Sequence, residues 1–250
     1  MIDVNRCPET AVQTRTFSCD GPQGWAVFAF LFLSAAFAVC GVPSFAQSDF
    51  AVADPSECEH VLTTQFRNCE FEKVYFCPNN VFVAEQFKDR TLESLEEMTH
   101  DGDVGNYVNV QDGTTVEIKD RKLTFSIGEL IGNGVSAGEA MAEMKMMAGT
   151  HPVRATYAAT LTEDLATVSG QEYAKVQLNV VMALPSLGVV FDMKVDGILL
   201  EQQNMILHYR TVSNSAEFEP LENDTLMSIS FPGEAGFEAT SARHNCGELS

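Results

Sequence analysis

The stretch QEYAKVQLNVVMALPSLGVVFDMKVDGILLEQQNMILHYRTV, residues 171–212, decides how this chain folds. Over 174–182, Val176, Leu178, Val180 and Met182 alternate with Lys175, Gln177, Asn179 and Val181. Over 189–196, Val189, Phe191, Met193 and Val195 alternate with Val190, Asp192, Lys194 and Asp196. Successive side chains of a strand point to opposite faces, so a period of two buries one face and wets the other. Leu184-Pro185-Ser186-Leu187-Gly188 lies between the two runs and reads as a tight connection, because proline presets one turn dihedral and glycine permits positive φ. Asp196-Gly197 is a second turn or bulge signal. Over 205–212, Met205, Leu207, Tyr209 and Thr211 share one face, and Ile206, His208, Arg210 and Val212 share the other. The pattern predicts three long antiparallel strands with one solvated side.

Working back towards the N-terminus, 153–161 shows the same alternation in Val153, Ala155, Tyr157, Ala159 and Leu161. Ahead of it lies Gly134-Val135-Ser136-Ala137-Gly138, which matches the GxSxG elbow of serine hydrolases. That elbow needs a strand before it, a helix after it and an alternating α/β chain, whereas the downstream sequence reads as antiparallel strands. Ser136 and Glu139 also form S-x-x-E, a capping box that satisfies free N–H groups at a helix start. A helix over 137–148 is therefore expected, ended by Gly149 and Pro152. It carries Met141, Met144, Met146 and Met147. Clustered thioethers suit Cu(I), but Met141, Met144 and Ala148 also fall at i, i+3 and i+7, a core-facing stripe. The core reading is preferred, so no metal or cofactor is expected.

Strands and hairpins are also expected between 71 and 131. Pro78-Asn79-Asn80 and Gln111-Asp112-Gly113-Thr114 are loop signals, Leu92 to Met98 fits either strand or helix, and Leu123, Phe125, Ile127 and Ile131 alternate along a further strand. Asp101, Asp103 and Asn106 offer calcium oxygens without the alternating spacing of a calcium loop, so 99–106 reads as a turn. After 212 the chain turns polar, and Leu226 to Phe231 reads as a last strand or short helix.

The N-terminal part reads as an address. Residues 25–39, WAVFAFLFLSAAFAV, are uncharged and too short for a bilayer span of about 20 residues. Ser44-Phe45-Ala46 before Gln47 is a small-x-small cleavage pattern. The reading is a signal peptide with an N-terminal extension over 1–46 and a single β-rich domain over 47–250, exported to the periplasm or beyond. An uncleaved anchor is the rival. Val39 before Cys40 argues against a lipoprotein site. Two of the 15 basic and three of the 35 acidic residues lie in 1–46, so cleavage moves the net charge only from −20 to −19. Such a chain repels nucleic acid and anionic membrane surfaces.

Cleavage leaves Cys58, Cys69, Cys77 and Cys246, which in an exported chain predict two disulfides. If 70–77 is extended, Cys69 and Cys77 stand about 26 Å apart at ~3.3 Å per residue, far beyond the roughly 7 Å that a disulfide allows. A helix starting at Asp54-Pro55-Ser56 would likewise separate Cys58 from Cys69 by about 16 Å at ~1.5 Å per residue. Cys246 is left to tie the tail to Cys58 or Cys69.

Phe231-Pro232-Gly233-Glu234-Ala235-Gly236-Phe237 ahead of Cys246, with Tyr75-Phe76-Cys77 near the mature start, resembles a group of uncharacterised exported bacterial proteins. Their F-P-G-E-x-G-F-like stretch precedes a terminal cysteine, and a Y-x-C-like segment lies near their start. The match covers the two chain ends. It departs elsewhere, since that group often carries strand tryptophans and Trp25 here lies in the signal segment. The resemblance implies export and a β-rich domain.

The expected fold is α+β and β-rich: a long antiparallel meander, as a half-barrel or open sheet, around one Met-rich helix. The expected function is a non-enzymatic binding or carrier module of the cell envelope. Its ligand is small and apolar, and Met141, Met144, Phe191 and Met193 are the candidate contacts. One alternative is a serine hydrolase using Ser136 with His151, His208 or His244. The other is a structural or interaction protein without a ligand.

Overall fold

The computed structural model describes residues 52–214, 224–244 and 246. The apolar run, the cleavage site and the polar segment over 215–223 lie outside them. Twelve strands form one antiparallel sheet: β1 Glu59–Phe66, β2 Glu70–Phe76, β3 Val81–Lys88, β4 Thr91–Thr99, β5 Val104–Asn109, β6 Thr115–Leu123, β7 Val135–Met146, β8 Gly149–Val168, β9 Gln171–Leu184, β10 Val189–Leu200, β11 Met205–Asn214 and β12 Leu226–Ser230. Among the described residues one α-helix, α1 Ile127–Asn133, interrupts them. The strands β1 to β11 neighbour one another in sequence order, and β12 returns to pair with β1. The protein is a β-rich meander that curls towards a barrel. Its two end strands, β11 and β12, share no ladder.

The deciding stretch folds as its alternation requires in β9 and β10. Val176, Leu178, Val180 and Met182 are buried, as are Phe191, Met193 and Val195, while Gln177, Asp192 and Lys194 are exposed. The far end of the hairpin departs from one-sided burial, because Ile198 to Leu200 and Met205 to His208 are buried on both faces. Leu199 and Ile206 pack into the larger core with Val116, Leu130 and Tyr157. Ile198, Leu200, Met205 and Leu207 pack into a second core with Leu62, Val74, Phe82 and Ile229. The hairpin is thus sandwiched between the two parts of its own sheet. A Cβ on Gly197 would meet Ile206 Cγ2 at 2.8 Å and Leu178 Cδ1 at 2.9 Å, so any larger residue there has to displace these side chains.

The Met-rich segment 137–146 is a strand, which corrects the expected helix. Ser136, Gly138, Ala140, Ala142 and Met144 point to the core, and Glu139, Met141, Glu143 and Lys145 to the other face. The helix lies instead at Ile127–Asn133, where a strand was expected. Ser126 caps it by accepting from the Glu129 N–H, and Gly134 ends it at φ 77°. The expected helix after Asp54 shrinks to a single 3-10 turn over Pro55–Glu57, and β1 follows.

The cysteines pair as Cys58–Cys77 and Cys69–Cys246. The exclusion of Cys69–Cys77 stands because β2 runs extended between them. Cys58 and Cys69 are likewise apart, but a strand separates them, not a helix. The second bridge lays the tail across the outer face of β1 to β3. There Thr63 Oγ1 donates to the Phe237 carbonyl at 2.5 Å, Gln65 Oε1 accepts from Arg243 N at 3.1 Å, and Ala242 covers the stacked Phe71–Phe87 pair.

Candidate functional site

Paired residues on neighbouring antiparallel strands share a face. Across β1 to β4, Thr64 pairs with Glu72, Glu72 with Gln86, and Gln86 with Ser94. This row crosses a face that the adjoining row makes apolar, through Leu62, Val74 and Ala84, before that row ends on Glu96. Thr64, Glu72, Gln86 and Ser94 are all buried. Thr64 Oγ1 donates to Glu72 at 3.3 Å and Ser94 Oγ to Gln86 Oε1 at 2.9 Å. Gln86 Nε2 has no hydrogen-bond partner among the described residues.

β11 faces this wall across a cavity of about 40 Å³. Val74, Phe82, Ala84, Met98, Met205, Ile206 and Leu207 line it, together with Glu72, Glu96 and His208. His208 Nε2 lies 3.0 Å from Asp224 Oδ2, and the same oxygen accepts from the Thr211 N–H at 2.8 Å. A carboxylate thus satisfies the free edge of β11 just ahead of β12, at the seam where no ladder forms. His208 Nδ1 is buried and has no partner among the described residues.

The electrostatics follow from burial. Glu72 is pushed up to about 7, by burial against a smaller opposing contribution from its Thr64 hydrogen bond. Burial first, and then the Glu72 charge, raise Glu96 well above the ordinary carboxylate range. Asp224 goes the other way. Burial works to raise it, but its hydrogen bonds with His208 and Thr211 hold it below the usual value.

An acid whose folded pKa is raised favours the folded state below its unfolded value and loses that contribution as pH climbs through the folded one. Stability due to Glu72 therefore falls between roughly pH 4.5 and 7, at about 1.4 kcal/mol per pH unit as an upper limit. Glu72→Gln should match wild type near pH 4.5 and exceed it by up to about 3 kcal/mol at pH 8. Urea unfolding of both proteins at the two pH values checks this. Equal gaps at both would contradict it.

The candidates read from sequence lie elsewhere. Met144, Phe191 and Met193 are buried in the larger core, and Met141 sits half-buried on the opposite face of β7 from Met144. None of the four lines the cavity. Ser136 sits where a helix runs into a strand, the reverse of a hydrolase elbow. Its hydroxyl donates to Glu129 Oε2 and accepts from the Ser126 N–H, both at 3.0 Å. His151 contacts Ser186, His208 contacts Asp224, and the His244 carbonyl accepts from Cys69 N. Asp103 is fully buried between the Tyr157 hydroxyl and Arg121, whose Nε lies 3.2 Å away. Asn106 bonds to Glu97 and to the Ile118 N–H, so these calcium candidates serve the fold. Among the described residues no group of three or more His, Cys, Asp or Glu is placed to hold a metal ion.

A second, wider groove of about 490 Å³ lies along the tail itself, lined by Gly233, Glu234, Phe237 and Arg243 among others. It is open to solvent, and Glu234 is already engaged with the Phe231 N–H. The seam cavity is the stronger candidate because it combines apolar walls with a lining histidine, His208, that has an unsatisfied buried nitrogen. Sequence reasoning missed it, although a signal was present: Glu72 alternates with Val74 and Phe76, and Glu96 with Met98, so acids occupy apolar-face positions.

No protein-family model matches the chain, and no curated protein or solved structure shows significant similarity to it.

Proposed function

We propose that the protein is an exported binding or carrier module of the cell envelope that takes a small, largely apolar ligand at the seam cavity. The observation that carries this reading is an apolar-walled cavity between β2–β4 and β11 whose lining includes His208, a residue with a buried Nδ1 that has no partner among the described residues. Buried polar atoms without partners are rare in folded proteins and call for an explanation such as a ligand or water. The two disulfides and the apolar run over 25–39 support export. No helix among the described residues is long and apolar enough to cross a membrane. A ligand larger than the cavity has to part β11 from the facing wall, and β11 is an end strand with a ladder on one side only.

Native mass spectrometry of protein purified from its exported fraction tests the reading. The expected result is a non-covalent adduct that is absent from Ala84→Phe, whose added ring fills the cavity. Wild type without an adduct, or an adduct retained in Ala84→Phe, would count against it.

A further inference from the structure

We propose that the seam cavity selects a primary ammonium group, so that the ligand is an apolar amine. This rests on the reading of the cavity as a binding site. Three polar residues line it, and they come from separate strands: Glu72 from β2, Glu96 from β4 and His208 from β11. All three can present acceptors. Each acid, once ionised, only accepts, and a neutral His208 whose Nε2–H donates to Asp224 keeps a lone pair on Nδ1. His208 is 5% exposed and this nitrogen has no partner among the described residues.

What the cavity asks for is a compact donor with positive charge. An ammonium carries three N–H donors and no acceptor, which matches two carboxylates and an imidazole nitrogen. An anion would meet two acids. A hydroxyl brings only one donor. A hard divalent cation needs about six or more oxygens, and the described acids and histidines are not placed to hold a metal. Size agrees as well, since a water-sized group needs roughly 10–15 Å³ of such space and the cavity has about 40 Å³. Beyond the head group, Met98 and Met205 line the cavity. Methionine is unbranched and adapts to varied apolar shapes, which suits a chain attached to the amine.

The test is calorimetric titration of the purified exported protein with n-butylammonium and, separately, with n-butanol. Wild type, Glu72→Gln and Glu96→Gln are compared, each first shown to be folded by circular dichroism; two variants are used so that one misfolded protein does not leave the test open. Wild type should bind butylammonium at least tenfold more tightly than butanol, on the order expected for a buried charge pair, and each folded variant should lose that preference. Binding a cation also favours ionised carboxylates, so butylammonium should release protons at pH 6, seen as a dependence of the heat on buffer ionisation, and butanol should release none. Equal binding of both probes, unchanged in the variants, would leave an apolar site standing and overturn the ammonium assignment. Binding of neither would overturn both readings.

Discussion

Cys246→Ala is expected to lower the melting temperature by on the order of 10 °C. The Cys69–Cys246 bridge joins residues 177 apart in sequence. In the chain-entropy model, closing such a loop removes about 5 kcal/mol of freedom from the unfolded chain, and measured losses of native bridges run from about 2 to 5 kcal/mol. The folded state has its own reason to need the bridge. The tail it anchors covers Phe71 and Phe87 and holds Phe237 in a stack on His60 with ring centroids 4.0 Å apart. Without it the tail keeps hydrogen bonds such as Ala242 N to the Asp89 carbonyl, at 3.2 Å, but loses its covalent end. Reductant should lower wild type by more than the variant. It should still lower the variant, because Cys58–Cys77 closes a 19-residue separation worth about 3 kcal/mol in the same model. A free thiol at Cys246 in non-reducing peptide maps of the exported protein would refute the argument.

Gly138→Val should cost about 3 to 5 kcal/mol. Gly138 sits on β7 directly under the Tyr157 ring, so any Cβ there overlaps the ring carbons and the hydroxyl. The ring cannot move freely, because its hydroxyl donates to the buried Asp103 carboxylate, and Asp103 is in turn held by Arg121. Displacing Tyr157 therefore adds a lost buried hydrogen bond to the steric strain. Urea unfolding measures the loss. The same substitution in a Tyr157→Ala background should cost much less, because the clash is gone; an equal cost in both backgrounds, or none in wild type, would contradict this account of the contact.

The contrast between β7 and β9 shows what was legible in the sequence. In β9 the buried residues are large and the exposed ones polar, so the period of two stands out. In β7 the buried positions are Ser136, Gly138, Ala140, Ala142 and Met144, all but the last small, and at Gly138 the Tyr157 ring leaves no room for a side chain. Alanine, methionine, glutamate and lysine are also strong helix formers, and S-x-x-E imitates a cap. Local propensity thus pointed to a helix, and pairing with β6 and β8 on either side overrode it. The two disulfides were half legible: distance along an extended β2 excluded one bridge, but the choice of Cys69 over Cys58 for Cys246 depends on where the tail crosses the sheet. The seam cavity depends on a long-range fact, the packing of β11 against β2–β4, which no local pattern encodes. Its local trace is the pair of acids, Glu72 and Glu96, at apolar-face positions.

Titration of the glutamate side-chain carboxyls by carbon-13 NMR tests the central claim most directly, with Glu72→Gln and Glu96→Gln identifying the two signals. If these acids line a buried, apolar cavity at the seam, with the Glu72 charge adding to the effect of burial on Glu96, Glu72 titrates at about 7 and Glu96 well above the ordinary carboxylate range. Midpoints for both between roughly 4 and 5, as in open water, would contradict it.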